Sequence, residues 1–470
     1  MGSDRGPVSG PELLIELDRA GTLPLHEQIE RSLREQIRAG RLSAGARVPS
    51  TRMLAAELGV SRGVVTEAYG QLSAEGYLTA RQGAPVRVAG GVHGVERPPA
   101  VSLVESFAYD FRPGVPDLAA FPTEAWVRAV RAGLRESQLD ALGYGDPRGT
   151  PSLREALADY LRRVRGCDAD PEHVLVSAGF MQALSLLCRA LRLRGVESVA
   201  VEDPGWHVHR LIVEEAGLEV VPIPVDDAGI DVAELARSDA PAVVVTPANQ
   251  FPTSAVLSPQ RRAALVEWAG DERLVVEDDY DSEYRYDRVA VGALQGLAPE
   301  RIVHIGSASK RLAPGLRLGW MLLPSWLTWE LTASKTIEDG GCEVVGQLAL
   351  ASFLARGELD RHVRRMRLRY AARRRALLRA LGRWLPEVAH TAPGEAGLFL
   401  LARLPPGADE AGLARAAAAR GVGVDGLSLH RFRAVGEPGL VLGYGGLAEP
   451  SIERGVQLLA AALGEVGAGT

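Results

Sequence analysis

Apolar side chains follow a helical period through the first ninety residues of this 470-residue chain and gather into short continuous runs afterwards. The first helical stretch follows Pro24, stops at Gly40 and repeats every fourth residue, at Leu25, Ile29, Leu33 and Ile37. That spacing places the four side chains on one face, which predicts an amphipathic helix. The later runs predict buried strands, so we expect more than one domain.

Two shorter helices and a hairpin are predicted after the first helix. One helix ends at Leu58, and the next is capped by Ser61 and ended by Gly76. The tight turn at Gly59 between them is typical of a helix-turn-helix. Residues 77–88 then predict two short strands about a turn, which together form a wing.

Five of the later apolar runs end in side chains that suit one ligand. The runs are residues 174–176, 199–201, 243–245, 274–276 and 302–305. After the first run, Gly179 and Phe180 open a predicted helix whose backbone N–H groups suit a phosphate. Ligands of open α/β sheets collect beyond the carboxyl ends of the strands, so we expect the five run ends to meet at one edge of a sheet.

The last of these runs leads into Lys310, one of only two lysines in the chain. The other basic residues are arginines, and a guanidinium neither loses its proton nor attacks a carbonyl. A lysine amine condenses with an aldehyde to a Schiff base, which points to pyridoxal phosphate. Ser307, Ser309 and Arg317 flank Lys310 and offer donors for the phosphate of that ligand.

The scarcity of lysine by itself leaves open the alternative that both lysines are ordinary surface residues in a chain whose other basic residues are arginines. Lys335 also follows an Ala-Ser pair, but it lies in a helix-like stretch with no strand before it. We interpret Lys335 as a solvated or interfacial lysine. Because Lys310 follows a predicted strand and has hydroxyl and arginine neighbours, we assign Schiff-base formation to Lys310 and not to Lys335.

The other run ends supply further groups that a pyridine cofactor needs. Asp278 is the candidate anion for the ring nitrogen, because that charge makes the ring an electron sink. Tyr280 and Asn249 are candidates to hydrogen-bond the ring oxygen, and Trp206 is a candidate to stack on the ring. Taken alone, the acidic stretch around Asp278 is equally consistent with a solvated loop.

The N-terminal segment carries a small basic excess. Nine arginines and six acids in residues 21–90 give +3, whereas the whole chain has a net charge of −6. Arg52 and Arg62 begin predicted helices and Arg81 lies on the wing, so all three are placed to meet DNA phosphates or base edges. The Ser61 hydroxyl is a further phosphate donor. A small three-helix interaction module with exposed arginines is the alternative.

Composition agrees with a cytoplasmic protein. We find no apolar span of membrane length and no signal peptide. Cys167, Cys188 and Cys342 are too few and too scattered for a disulfide framework or a metal site, so we expect core thiols. Residues 89–106 have glycine and proline pairs without periodicity, which predicts an interdomain linker.

In the ligand-bearing part the chain resembles a fold-type-I pyridoxal-phosphate protein of the aminotransferase class. The resemblance runs from about Phe111 to the C-terminus and rests on Ser-x-Ser-Lys with its trailing arginine, together with Asp-x-Tyr. It implies that Lys310 forms a lysine aldimine and that Asp278 pairs with the pyridine nitrogen. It assigns the ring oxygen to Tyr280 and Asn249 and the phosphate to Ser307, Ser309 and Arg317. Tyr144 matches a tyrosine that reaches the phosphate of a second subunit, which implies a homodimer.

Four motifs near the N-terminus resemble the winged-helix domain of GntR-type bacterial repressors. They are Pro49-Ser50-Thr51-Arg52, Leu58-Gly59-Val60-Ser61-Arg62, Ala68-Tyr69-Gly70-Gln71-Leu72 and Glu75-Gly76-Tyr77-Leu78. Joined to an aminotransferase-like body, they resemble the MocR-type regulators. The implied fold is an α+β winged helix-turn-helix at residues 11–88 followed by an α/β fold-type-I transferase domain at residues 107–470. Its large part is expected at about 140–350 and a small α+β C-terminal part at about 355–470.

The resemblance implies a transcriptional regulator that binds a double-stranded DNA operator and senses pyridoxal phosphate, alone or joined to a small amino compound. An active aminotransferase with an appended helical module is the alternative, and Asn249, typical of the enzymes, keeps it open. Val441 stands where many aminotransferases carry an arginine for the substrate carboxylate. Its presence favours a sensor without turnover and an effector without an α-carboxylate. Arg431 and Arg433 are candidate replacements for that cation, although a solvated loop is the favoured interpretation of both.

Overall fold

The computed structural model describes residues 13, 15–80, 84–89, 106–137, 139–287, 291–391, 395–432 and 436–468. The chain divides into two compact units, Met1–Glu105 and Ser106–Thr470. The expected linker at residues 89–106 lies outside the described residues except at its two ends, and Arg81 of the predicted wing lies outside them as well. Within the described ranges, no helix combines the length and the apolar character needed to cross a membrane.

The N-terminal unit has three helices around a small apolar core, followed by a hairpin. Its elements are α1 (Leu25–Arg38), α2 (Thr51–Leu58), α3 (Arg62–Ala74), β1 (Leu78–Thr79) and β2 (Arg87–Val88). The predicted apolar face of α1 is buried at Ile29, Leu33 and Ile37. These side chains pack with Leu54 and Leu72 from the other two helices. Because β1 and β2 pair in antiparallel fashion, the predicted winged helix-turn-helix is confirmed.

Local hydrogen bonds explain where these helices begin. The Ser50 hydroxyl accepts the Met53 N–H at 3.2 Å before α2, and the Ser61 hydroxyl accepts the Val64 N–H at 3.4 Å before α3. Each bond satisfies a backbone donor that has no partner inside its helix. Gly59 ends α2 with φ of 61°, a left-handed conformation that glycine adopts without steric cost.

The C-terminal unit alternates helices and strands over most of its length. Its helices are α4 (Thr123–Glu136), α5 (Pro151–Tyr160), α6 (Phe180–Leu193), α7 (His207–Glu215), α8 (Val232–Arg237), α9 (Pro259–Ala269), α10 (Ser325–Asp339), α11 (Val344–Ala355), α12 (Glu358–Trp384), α13 (Glu410–Ala418) and α14 (Glu449–Ala468). Its strands are β3 (Tyr109–Asp110), β4 (Val174–Ser177), β5 (Ser198–Asp203), β6 (Glu219–Asp226), β7 (Gly229–Ile230), β8 (Ala242–Val245), β9 (Leu274–Asp279), β10 (Ile302–Ser307), β11 (Gly319–Leu322), β12 (Ala389–Thr391), β13 (Phe399–Arg403), β14 (Val422–Gly423), β15 (Asp425–Gly426) and β16 (Gly439–Gly443).

Eight strands form the central sheet, in the order β4-β11-β10-β9-β8-β5-β6-β7. Strands β10, β9, β8, β5 and β6 are parallel. Strand β11 runs antiparallel to both β10 and β4, so β4 points the same way as the parallel strands. The carboxyl ends of the five predicted strands β4, β5, β8, β9 and β10 therefore lie at one edge of the sheet, as expected.

A smaller layer follows the central sheet. Strands β12, β13, β16 and β15 form a four-stranded antiparallel sheet, and α12 packs against α14. Strand β3 pairs in parallel with β14, with Tyr109 opposite Val422. The segment that opens this unit thus joins the layer built from its C-terminal end.

Candidate functional site

Lys310 lies three residues after β10, with its side chain partly buried. Its Nζ donates a 2.7 Å hydrogen bond to the backbone oxygen of Gly114. Burial lowers the pKa of the Lys310 ammonium below its ordinary value, although the nearby carboxylates of Asp278 and Asp281 act in the opposite direction. A lowered pKa increases the fraction of neutral amine, and the neutral amine is the form that attacks an aldehyde.

Asp278 lies in β9, the strand next to β10, and is buried. Its Oδ2 lies 3.0 Å from Nε2 of His209 in α7. Burial raises the pKa of Asp278, and the hydrogen bond with His209 acts to lower it. His209 was not predicted from the sequence. Its position three residues after Trp206, on the same helical face, was the available signal.

Asn249 and Tyr280 form a second cluster at the same sheet edge. The Tyr280 hydroxyl donates to the Asn249 backbone oxygen at 2.6 Å and accepts from Asn249 Nδ2 at 3.2 Å. That Nδ2 also donates to Asp281 Oδ2 at 2.9 Å. Asn249 Oδ1 is buried without a hydrogen-bond partner among the described residues. Because an unsatisfied buried acceptor is costly, this oxygen marks a place for a ligand donor.

The residues that we predicted to bind a phosphate also come together. Gly179 precedes α6 with φ of 104°, and a Cβ built on it would lie 3.3 Å from Arg317 Nη2. The guanidinium of Arg317 therefore stands beside the N-terminus of α6, where backbone N–H groups attract anions. Ser307 ends β10, and its hydroxyl accepts the Ser309 N–H at 3.4 Å. This donor set suits a phosphate.

Trp206 and Phe180 form an aromatic wall at the site. Their ring centroids are 5.8 Å apart, and each ring lies 5.3 Å from the imidazole of His209. Phe180 begins α6 as predicted, but its side chain has no donor for a phosphate. Its contribution is to support Trp206 and His209 by packing.

Tyr144 lies elsewhere on the single chain. Its side chain is fully exposed and lines a cavity of about 590 Å³ together with Asp339, Cys342 and Gln347. Lys310 is not among the residues that line this cavity. The other cofactor residues predicted from the sequence thus meet within one chain, and Tyr144 does not join them there.

In the N-terminal unit, two of the predicted DNA residues lie at adjacent helix starts. Arg52 and Arg62 are exposed, and Arg62 Nε donates to Thr51 Oγ1 at 3.3 Å. That bond links the first turn of α3 to the first turn of α2. Ser61 is exposed beside Arg62. An accessible surface with two guanidinium groups and a hydroxyl suits phosphate contacts.

Comparison with known families matches both units. Residues 25–88 match the family described as bacterial regulatory proteins of the gntR family. Residues 113–428 match aminotransferase class I and II. The probable rhizopine catabolism regulatory protein MocR of Rhizobium meliloti is 33% identical over an alignment of 475 positions, which covers 96% of this chain and 96% of that protein. The chain belongs to the MocR-type regulators of the GntR family.

A second relative has the same extent as this MocR-type regulator. The HTH-type pyridoxine biosynthesis transcriptional regulator PdxR of Corynebacterium glutamicum is 32% identical over 447 residues, covering 94% of this chain and 96% of that protein. Both relatives span the winged helix and the aminotransferase-like unit. The chain is therefore a transcriptional regulator with an aminotransferase-like domain.

Solved aminotransferases share the fold of the regulator's larger unit. The multiple substrate aminotransferase of Thermococcus profundus matches with a TM-score of 0.71 and 26% identity, covering 78% of this chain and 94% of that enzyme. The α-aminoadipate aminotransferase LysN of Thermus thermophilus matches with a TM-score of 0.70 and 27% identity, over 77% and 93%. The predicted fold-type-I transferase fold is confirmed.

Val441 lies in β16 of the regulator, fully buried. It belongs to an apolar cluster against which Trp206 and Tyr280 pack, formed by Phe251, Phe399, Leu401, Leu427 and Val441. The position expected to hold a carboxylate-binding arginine is thus part of a hydrophobic layer behind two of the candidate cofactor residues.

The burial of Lys335 shows that our interpretation of this residue from the sequence was wrong. We expected a solvated or interfacial lysine, but its side chain is fully buried in α10. Its Nζ donates to Asp339 Oδ2 at 2.6 Å and lies 3.2 Å from the Cys342 sulfur. The ion pair offsets the cost of burying the ammonium, so Lys335 is a structural lysine.

Proposed function

We propose that this regulator binds pyridoxal 5'-phosphate at Lys310 and uses it, alone or with a small amino compound, as the signal that alters operator binding. The observation that carries the proposal is that Lys310, Asp278 and Asn249 follow or end three different strands and meet at one sheet edge. The names of two similar proteins support the same ligand class. LysN was solved with a phosphopyridoxyl compound, and PdxR is named for pyridoxine biosynthesis.

Each side chain has a role that its chemistry supports. Lys310 is the attachment point, and Asp278, positioned by His209, is the anion for the ring nitrogen. When bound, pyridoxal phosphate supplies an aldehyde and an electron-withdrawing ring. The remaining groups are Tyr280 and Asn249 for the ring oxygen, Trp206 and Phe180 for the aromatic wall, and Gly179, Ser307, Ser309 and Arg317 for the phosphate.

We further propose a homodimer in which Tyr144 completes the phosphate site of a second subunit. A fully exposed tyrosine at the rim of a 590 Å³ cavity supports this assignment, because a large aromatic side chain gains stability when another surface covers it. Two subunits would also present two winged helices, which matches a two-part operator.

The DNA-binding function is proposed for residues 11–88, in the cytoplasm. Arg52, Ser61 and Arg62 contact the phosphate backbone or base edges through the starts of α2 and α3, and Arg81 contacts DNA from the wing. The exposure of the first three residues supports this role. Residues 89–106 connect this domain to the sensor domain at residues 107–470.

Operator binding with and without the cofactor tests the proposal. An operator selected from random DNA is titrated with wild-type protein, Lys310→Ala and the control Lys335→Met, each with and without pyridoxal phosphate. We expect the cofactor to change the affinity of the wild type and Lys335→Met, and to leave Lys310→Ala unchanged. An equal response in Lys310→Ala would show that attachment at Lys310 carries no signal.

Aminotransferase turnover is a second candidate, favoured by the grouping of Lys310, Asp278 and Asn249 at one sheet edge. Transamination requires that a substrate carboxylate be held so that its Cα–H bond faces the lysine amine. The apolar layer at Val441 opposes that role. Rapid multiple turnover with any pair of amino acid and 2-oxo acid would establish the enzyme.

A further inference from the structure

A second wall, which we call the apolar wall, bounds one side of the candidate cofactor site. Trp206 and Tyr280 are only partly buried, and behind them lie Phe251, Phe399 and Val441. The Phe251 and Phe399 rings are 4.9 Å apart, so the layer is closely packed. A ligand group that extends from Lys310 towards this wall meets aromatic and aliphatic surface.

Arg210, His207 and His430 are engaged elsewhere or uncharged, the Arg431 guanidinium stands beside Gly436, and Arg433 lies outside the described residues. Arg210 donates to the backbone oxygens of Leu429, at 2.9 Å, and of Arg431. The ring of His430 lies 4.8 Å from Phe251, and burial lowers its pKa to about 3. Burial also lowers the pKa of the neighbouring His207. Both imidazoles are therefore neutral at physiological pH.

Three buried acidic side chains lie near Lys310 and Tyr280. Asp278 and Asp281 lie close enough to act on the pKa of Lys310, and Glu202 lies close enough to act on that of Tyr280. The cation placed to bind an anion, Arg317, stands beside Gly179 at the phosphate end. A ligand carboxylate placed at the wall would lose its hydration without gaining a charged partner from the residues that the structure describes there.

We propose that the effector of this regulator is a primary amine with an apolar body and no carboxylate. This inference rests on the proposed function, since the amine is recognised beside the cofactor at Lys310. The amine nitrogen faces the acidic edge of the site, and the apolar body covers Trp206 and Tyr280. Burial of the apolar body stabilises the complex in proportion to the area covered. Amino acids are discriminated against because the described residues at the wall offer their carboxylate no cation.

Matched pairs of ligands that differ only in the carboxylate test the inference. The protein loaded with pyridoxal phosphate is titrated by calorimetry with 2-phenylethylamine and L-phenylalanine, and with 3-methylbutylamine and L-leucine. Operator affinity is measured at saturation with each compound. We expect the amines to bind roughly ten- to a hundredfold more tightly than their amino acids, the range of a lost charge-assisted hydrogen bond, and to shift operator affinity.

Equal or tighter binding of the amino acids would overturn the inference, and so would the absence of binding by either amine. In both cases an intact absorption band of the bound cofactor leaves the proposed function standing. If no cofactor band forms on loading, both proposals fail together.

Variants sharpen the distinction. Val441→Arg should reduce or reverse the preference for amines, whereas the apolar control Val441→Leu should keep it. Arg431→Ala should leave both affinities unchanged; selective loss of amino-acid binding in that variant would reveal a replacement clamp and overturn the inference. Should Val441→Arg fail to fold, the ligand pairs on the wild-type protein still decide.

Discussion

The Nε2 atom of His209 lies 3.0 Å from the carboxylate of Asp278, although 69 residues separate them along the chain. His209 also packs against the Trp206 ring, with centroids 5.3 Å apart. One imidazole thus contacts both the candidate anion for the cofactor ring and the candidate stacking surface. His209 is a positioning residue that holds these two groups relative to each other.

We expect His209→Ala to weaken pyridoxal phosphate binding by about 1.5–3 kcal/mol, the usual value of a hydrogen bond to a charged group. The loss should be partly restored in His209→Asn, which keeps a side-chain donor. Titration of the apoprotein with cofactor, followed by absorption, gives both dissociation constants and band positions. An unchanged dissociation constant and an unchanged band in His209→Ala would contradict the role.

Borohydride reduction should fix pyridoxal phosphate on the peptide that contains Lys310, because its buried amine is more easily deprotonated than an exposed one. Lys310→Ala should lose the visible absorption of the bound cofactor. The control Lys335→Met should keep it while losing thermal stability, since Asp339 loses its charged partner and keeps only the hydrogen bonds from Gln182 and Gly341. Peptide mass mapping is the measurement, and label confined to Lys335 would refute the assignment.

Gly179→Ala should weaken cofactor binding as well as folding. The new Cβ would lie 3.3 Å from the Arg317 guanidinium, at a φ of 104° that alanine rarely adopts. Gly195→Ala is the matched control, because Gly195 has φ of 85° with no atom within 4 Å of its Cβ position. Both variants should lose about 1–2 kcal/mol of unfolding free energy. Only Gly179→Ala should also reduce affinity for pyridoxal phosphate; an equal reduction in both would rule out the proposed cradle.

Operator binding should depend steeply on salt, because arginine contacts to phosphates release counterions. We expect Arg52→Ala or Arg62→Ala to cost about 1–3 kcal/mol if the residue contacts a base, and to act uniformly across sequences if it contacts only phosphate. Fluorescence anisotropy at several salt concentrations separates the two cases. Full affinity in a chain that begins at Phe111 would refute the role of the winged helix.

Acid should destabilise the protein through His430. Its folded pKa of about 3 lies below the ordinary value of 6.5, so between these values the unfolded chain binds a proton that the folded protein excludes. The contribution of neutral His430 to the free energy of unfolding is fully present above pH 6.5. It falls by about 1.4 kcal/mol per pH unit between pH 6.5 and about pH 3. Denaturant unfolding at about pH 7 and about pH 5 should show a smaller loss for His430→Leu than for the wild type. Identical losses would contradict this origin.

Much of the architecture was predictable because its determinants are local. The four-residue apolar spacing of α1, the serines that cap α2 and α3, and the glycine between those helices specify the helix-turn-helix from neighbouring residues alone. The five apolar runs likewise specified strands whose polar ends converge, since parallel strands share an edge. The placement of Lys310, Asp278 and Asn249 at one sheet edge was predicted in this way.

Tertiary structure decided the contacts that join distant segments. The pairing of His209 with Asp278 and the packing of Val441 behind Trp206 join residues that lie far apart along the chain. They depend on the order of the strands in the sheet and on which helix covers each strand. Side-chain periodicity assigns a residue to one face of its helix or strand. Only the folded chain determines which side chains that face contacts, because the sequence separation between the two partners differs from one contact to the next and follows no period.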